Sequence, residues 1–295
     1  MVSTRTNGIP IFPTREGYNY VISGVQIDNT ILLLDATDPF SAPNMLPVRA
    51  LNWEGRLIYE DGNSVTVNLM PFDKAIDVVM LEITPNTDGS ISGTHKQQYK
   101  NHNAMLFRKL YNKDTEAVFL ENEEKENGDI EIDNYELKNH TDIYKPVIQS
   151  YEFIKDDAIE VISGKMYFSP FHHLVTSENP FKLEQREFPV DFGFPWEDRY
   201  IVNTNIPEGY KVESLPESKV ISLPDNLGRF KYTIQAAGSK IKLNSTLEFN
   251  SSIIPPQYYD TLKEFYRQLV EKETEKVVLS KITTDGDKDS AAGSR

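Results

Sequence analysis

The 295-residue chain contains no cysteine. That absence excludes disulfides, thiolate metal sites and thiol nucleophiles. It does not fix a compartment, because many exported bacterial proteins also lack cysteine. Long apolar runs are missing too: none approaches the roughly 20 residues of a membrane span, which excludes a transmembrane helix. Positive charge is scarce, with 31 Lys and Arg against 45 Asp and Glu and a net charge of −14. That balance argues against nucleic acid and anionic membranes as partners, since both need a basic surface. The opening residues, Met1 to Gly8, lack the apolar core of a signal peptide. The chain is then either cytoplasmic, if Met1 is the true start, or the downstream part of a longer exported polypeptide. No Gly-rich phosphate loop, Gly-x-Ser-x-Gly elbow or zinc-binding helix occurs.

What is present favours β structure. Hydrophobic residues make up 39% of the chain and aromatics 11%, with 15 Tyr and 15 Phe; that enrichment suits pleated sheets better than helical bundles. Short apolar runs separated by turn residues predict a meander through residues 18–70, including strands at 48–52 and 56–60 around Trp53-Glu54-Gly55 and one at 65–70. After Pro71, strands are expected at 76–84, 90–99, 130–137, 147–155 and 158–168. Helical spacing of Ala104, Leu106, Phe107, Leu110 and Tyr111 predicts a helix, with a second short one over 115–122. Further strands are expected between 199 and 250. Pro255-Pro256 should then open a helix with an apolar stripe of Leu262, Phe265, Tyr266, Leu269 and Val270. The expected fold class is mainly β (α+β), organised as a small sheet unit over 1–70, a β-sandwich over 71–283 and a disordered tail over 284–295.

The most informative segment is Tyr18 to Asp38. Two β-rich runs flank Asp28-Asn29, a pair suited to a two-residue turn. That turn pairs Ile27 with Thr30 and, further out, Tyr20 with Thr37. Asp35 then becomes the diagonal neighbour of Tyr20 on the same face. A three-residue loop would instead put the two side chains on opposite faces.

This segment resembles the His/Asp hairpin of transglutaminase-like proteins, members of the papain-like thiol group, in which the first strand carries a histidine and the second ends in Leu-Asp-Ala/Pro-Thr. Here Leu34-Asp35-Ala36-Thr37 is retained, and Tyr20 occupies the histidine position. The stretches from Thr4 to Ile22 and from Leu46 to Arg56 are similar to a bacterial envelope group whose thiol core lies between two β-rich domains of unknown function, numbered 3857 and 3858. The resemblance implies that residues 1–70 are the end of a thiol core whose cysteine-bearing half lies upstream, and that the parent is periplasmic or on the cell surface. Tyr20 and Asp35 are then vestigial triad positions. A phenol titrates near about 10 and is a poor base at neutral pH, so a structural Tyr20–Asp35 hydrogen bond is the expected pairing.

The leading reading is a non-catalytic structural or binding module. One alternative is half of a thiol enzyme completed by the upstream segment. Another is glycan or peptide capture by the aromatic loop at 168–196, with Phe171, Phe181 and Trp196 as the binding residues. Partners would be proteins or glycans of the cell envelope. No cofactor or metal is expected. His172-His173 would point to opposite faces of a strand, and the ten acidic residues between Asp114 and Glu136 would lie on a helix and linker facing water. Asp285, Asp287 and Asp289 mimic the start of a calcium loop but lack its glycine and its last ligand.

Overall fold

The computed structural model describes residues 1–282 apart from 9, 11–13 and 15. The chain begins with a hairpin of β1 (Ser23–Ile27) and β2 (Thr30–Leu34) and a second hairpin of β3 (Glu54–Ile58) and β4 (Ser64–Asn68). There follow β5 (Ala75–Pro85), β6 (Ile91–Lys100), α1 (His102–Tyr111), α2 (Glu116–Glu126), β7 (Glu131–Lys138) and β8 (Val147–Lys155). The second half contains β9 (Glu160–Ile162), β10 (Lys165–Phe168), β11 (Val190–Asp191), β12 (Trp196–Asn205), β13 (Tyr210–Ser214) and β14 (Lys219–Ser222). It closes with β15 (Gly228–Ala237), β16 (Lys240–Phe249), β17 (Ile253–Ile254), α3 (Tyr259–Thr274) and β18 (Val277–Lys281).

Eight strands form one sheet in the order β14-β15-β16-β12-β5-β6-β8-β7, and a four-stranded sheet has the order β13-β18-β10-β9. β12 runs parallel to β5, whereas the other pairs of the large sheet are antiparallel. That parallel seam joins two meanders that are far apart in sequence. Along β5 the alternation is plain: Ala75, Val79, Leu81 and Ile83 are buried, while Glu82 and Thr84 are exposed. A sheet wet on one face and packed on the other needs this period of two. The packed face carries the small sheet and α3, where Phe168, Leu262, Phe265, Leu269 and Leu279 join Leu81, Phe153, Val202, Phe230 and Leu243 in one core. The apolar stripe of α3 lies in that core, as its sequence spacing requires. α1 and α2 cover another part of the sheet through Phe107, Phe119 and Val147.

Residues 1–70 have a smaller core of their own, with Val2, Leu33, Leu46, Ala50, Leu51 and Leu69 packed together with Ala75 and Phe194. Trp196 packs against both this cluster and the main core.

Three expectations are corrected. Residues 48–52 are not a strand: Val48–Ala50 is a 3-10 turn closed by Ala50 N–H to Pro47 C=O at 2.8 Å and Leu51 N–H to Val48 C=O at 3.1 Å. Trp53-Glu54-Gly55 is accordingly not a hairpin turn; β3 pairs with β4 around Asp61-Gly62-Asn63. The single strand expected over 158–168 is a hairpin, β9–β10, reversed at Ser163-Gly164, whose φ values are +50° and +75°. Two successive left-handed residues suit the twist of a two-residue hairpin. The tail expected at 284–295 lies outside the described residues.

Candidate functional site

The β1–β2 ladder has the register expected of the Asp28-Asn29 turn, from Ile27 opposite Thr30 to Ser23 opposite Leu34. Asp28 takes φ +51° to make the reversal. Beyond the ladder, Tyr20 is held by Val2: Val2 N–H donates to Tyr20 C=O at 2.8 Å and Tyr20 N–H returns to Val2 C=O at 3.0 Å. This extension carries the Tyr20 ring over the end of β2.

There the Tyr20 hydroxyl donates to Asp35 Oδ2 at 2.6 Å and lies 2.5 Å from Thr37 Oγ1. Asp35 Oδ1 accepts from Thr37 N–H at 3.0 Å and from Thr37 Oγ1 at 2.7 Å. Arg49, delivered by the 3-10 turn, donates from Nη2 to the Tyr20 hydroxyl at 2.9 Å and to Thr37 Oγ1 at 2.6 Å. Its guanidinium also lies over the Tyr20 ring, 5.3 Å from the centroid. The Asp35 side chain is 1% exposed. Burial alone would raise its pKa, but the hydrogen bonds from Tyr20 and Thr37 and the charge of Arg49 outweigh burial and hold it below its ordinary value. Asp38, also buried, pairs with Arg49 and with Lys109 of α1, tying this corner to the main sheet unit.

Chemically the cluster is closed. Both Asp35 oxygens have donors, and the Tyr20 phenol is itself clamped between a carboxylate and a guanidinium. Activating a nucleophile needs a proton acceptor with a free lone pair, oriented by a third group. In this cluster the hydrogen-bonding atoms of Tyr20, Asp35 and Thr37 are engaged with one another and with Arg49.

The histidines lie elsewhere. His172 and His173 sit on a 3-10 turn, His172–Leu174, rather than on a strand, because Phe171 to Leu174 closes a local turn bond. His172 Nε2 is 3.0 Å from Thr204 Oγ1, and burial pushes both imidazoles down to about 3. His95 stacks on Tyr151, and burial pushes it down to about 4. Among the described residues no three His, Asp or Glu side chains come together as a metal site.

The aromatic loop turns inward. Phe171 is fully buried against Tyr200 and Tyr232, and Phe181 packs edge-on against Tyr259 and Tyr266 of α3. Trp196 packs on Phe192 and Phe249 and also lines a cavity of about 570 Å³. Of the three binding candidates, it is the one placed on this cavity; Phe171 and Phe181 belong to the core.

Sequence reasoning missed the floor of that cavity. Asp198 on β12 lies opposite Asp77 on β5, which lies opposite Tyr99 on β6, so the three side chains stand in a row on one sheet face. Glu123 reaches the same space from α2, and Asn103, Leu106, Phe107 and Leu110 of α1 with Phe194 complete the walls. Burial raises Asp77 and Asp198 to about 7, with repulsion from Glu123 adding to the first and from Asp77 and Glu197 to the second; burial raises Glu123 as well. Asp77 Oδ2 accepts from Gln97 at 2.7 Å, while its Oδ1 is buried without a partner. The available signal was an acid in an inward position of the run Ile76-Asp77-Val78-Val79.

Residues 164–279 match a family described as a domain of unknown function with a solved structure (DUF3858). A crystal structure of a "putative protease" from Parabacteroides distasonis is similar at 12% identity and TM-score 0.42, over 90% of this chain and 36% of that one. The chain thus spans about a third of that protein's length. No protein in the search of curated proteins matches.

Proposed function

We propose that this chain is a non-catalytic structural or binding module, the C-terminal part of an exported transglutaminase-like protein. The observation that carries the reading is the engagement of Tyr20. Its hydroxyl is bound by Asp35 and Arg49 at the place where the resembling hairpins hold a histidine. Absence of cysteine from the sequence removes the nucleophile as well. In this reading Asp35 has passed from orienting an imidazole to fastening the hairpin to the Arg49 turn. The match of residues 164–279 to a domain of unknown function supports a parent in which a β-rich domain follows such a core.

The test uses the intact gene product in its own cell, carrying a C-terminal epitope. After fractionation it is exposed to a thiol-directed amide electrophile. The protein is expected in the envelope fraction and unlabelled. Covalent labelling at a cysteine of the same polypeptide would overturn the non-catalytic reading, and recovery in the cytosol would overturn the exported one.

A further inference from the structure

The cavity under α1 differs from the Tyr20 cluster in having carboxylates without a cationic partner among the described residues. Asp77, Asp198 and Glu123 all face it, and none pairs with a lysine, arginine or histidine among the described residues. The Arg199 guanidinium next in sequence turns instead to Glu197, and Lys74 pairs with Glu197 and Glu248. Gln97 supplies one hydrogen bond to Asp77, and Gln149 supplies a long one to Glu123 at 3.4 Å. Asp77 Oδ1, inaccessible to solvent, has no partner. A buried carboxylate oxygen without a donor is a standing cost that a ligand donor would remove.

The walls are of the opposite character. Leu106 and Leu110 of α1 line the cavity with 42% and 54% of their surface exposed, and Trp196 and Phe194 form the other wall. About 570 Å³ with an apolar rim and a few convergent polar groups is the ordinary size and make-up of a small-molecule site. Since no three of the acidic or histidine side chains among the described residues come together as a metal site, a bare divalent ion does not match the donor set. A larger cation that spreads several N–H donors between separated carboxylates, and carries an apolar body against the leucines and the indole, does.

We propose that this cavity binds an organic cation, an ammonium or guanidinium group on an aliphatic stem, with Asp77 and Asp198 receiving the charge and Trp196, Leu106 and Leu110 holding the stem. The proposal does not depend on the role of Tyr20. Binding is coupled to protons: the carboxyls at about 7 must ionise to receive the cation. The titratable groups facing the space are Asp77 from β5, Tyr99 from β6, Asp198 from β12 and Glu123 from α2. α1 and the 194–196 segment contribute Asn103, leucines and aromatics only.

The test is a calorimetric titration of the whole chain with hexylammonium, agmatine and a capped lysine peptide, with hexanol as the neutral isostere. Hexylammonium is expected to bind at least about tenfold more tightly than hexanol, and more tightly at about pH 8 than at about pH 5.5, because ionisation of the acids precedes binding. Asp198→Asn, which removes a charge from an uncomfortable place and keeps the shape, should fold and lose at least about tenfold in amine affinity. Preference for agmatine or for the lysine peptide assigns the source as a free amine or a basic side chain; either outcome supports the site. Equal binding of hexanol and hexylammonium, undiminished affinity in Asp198→Asn, or no binding of any cation would overturn it.

Discussion

At the scale of single residues, Asp35 decides how the hairpin corner behaves. Its two oxygens take donors from Tyr20 and Thr37, and Arg49 supplies the nearby positive charge. Tyr20→Phe leaves the ring in place and removes a donor to a carboxylate that is almost fully buried. A loss of about 1–3 kcal/mol in urea unfolding is expected. The sign of the pH effect follows from the depressed pKa of Asp35. A carboxylate whose folded value lies below its unfolded value stabilises the fold above the unfolded value, and that contribution is lost as pH falls through the folded one. The difference between the wild type and Asp35→Asn should therefore be full at neutral pH and shrink below the ordinary Asp value of 3.8, which unfolding midpoints across acid pH would show. A difference that is constant with pH would mean that folding leaves the Asp35 pKa where it is in the unfolded chain. The Tyr20 backbone pairs with Val2 and not with Thr37. The Ile27–Thr30 register and the meeting of the Tyr20 and Asp35 side chains could still be read from the sequence, because a two-residue turn fixes a hairpin's register. Arg49 could not, because a strand was expected where a 3-10 turn swings it inward.

At the scale of elements, the parallel β5–β12 seam lay beyond sequence reasoning. Each strand is legible from its own alternation, but nothing in either run states that residues 75–83 will meet 196–204 in parallel. The same limit hid the cavity, whose acids come from three different elements. Local signals fared better: α1 and α3 followed from apolar spacing, and the error at 158–168 came from reading Ser163-Gly164 as strand when both adopt left-handed φ. One element contact is especially close. A Cβ built on Gly93 of β6 would stand 2.3 Å from the Glu82 carbonyl oxygen of β5, which is backbone and cannot move alone. Gly93→Ala must separate two paired strands in the middle of the large sheet, and a loss of about 1–3 kcal/mol in stability is expected. A variant with unchanged thermal and urea midpoints would show that the β5–β6 pair has slack the structure does not display.

At the scale of the whole molecule, buried acids set the pH dependence of stability near neutrality. Burial raises Asp77, Asp198 and Glu273 to about 7 in the folded chain. Their folded values lie above their unfolded ones, so the fold holds protons that the unfolded chain has released. Stability should fall as pH climbs from about 4 to about 7 and level off above, the reverse of the Asp35 effect. A combined Asp77→Asn, Asp198→Asn, Glu273→Gln variant should flatten that slope in urea titrations. The overall β architecture, with helices at its margins, was legible from composition and turn spacing. The partition of the packed face between α1–α2 and the small sheet with α3 was not, because several elements compete for the same apolar surface.

The proposed function requires that this chain perform no amide chemistry through its Tyr20–Asp35 hairpin. The most direct measurement is turnover by the purified protein alone, at neutral pH, of a denatured protein substrate supplied with a fluorescent primary amine, reading both cleavage and amine incorporation. No rate above the protein-free background is expected, and none should appear in Tyr20→His, because an imidazole without a nucleophile completes nothing. Cleavage or cross-linking that disappears in Asp35→Ala would contradict the account at its centre.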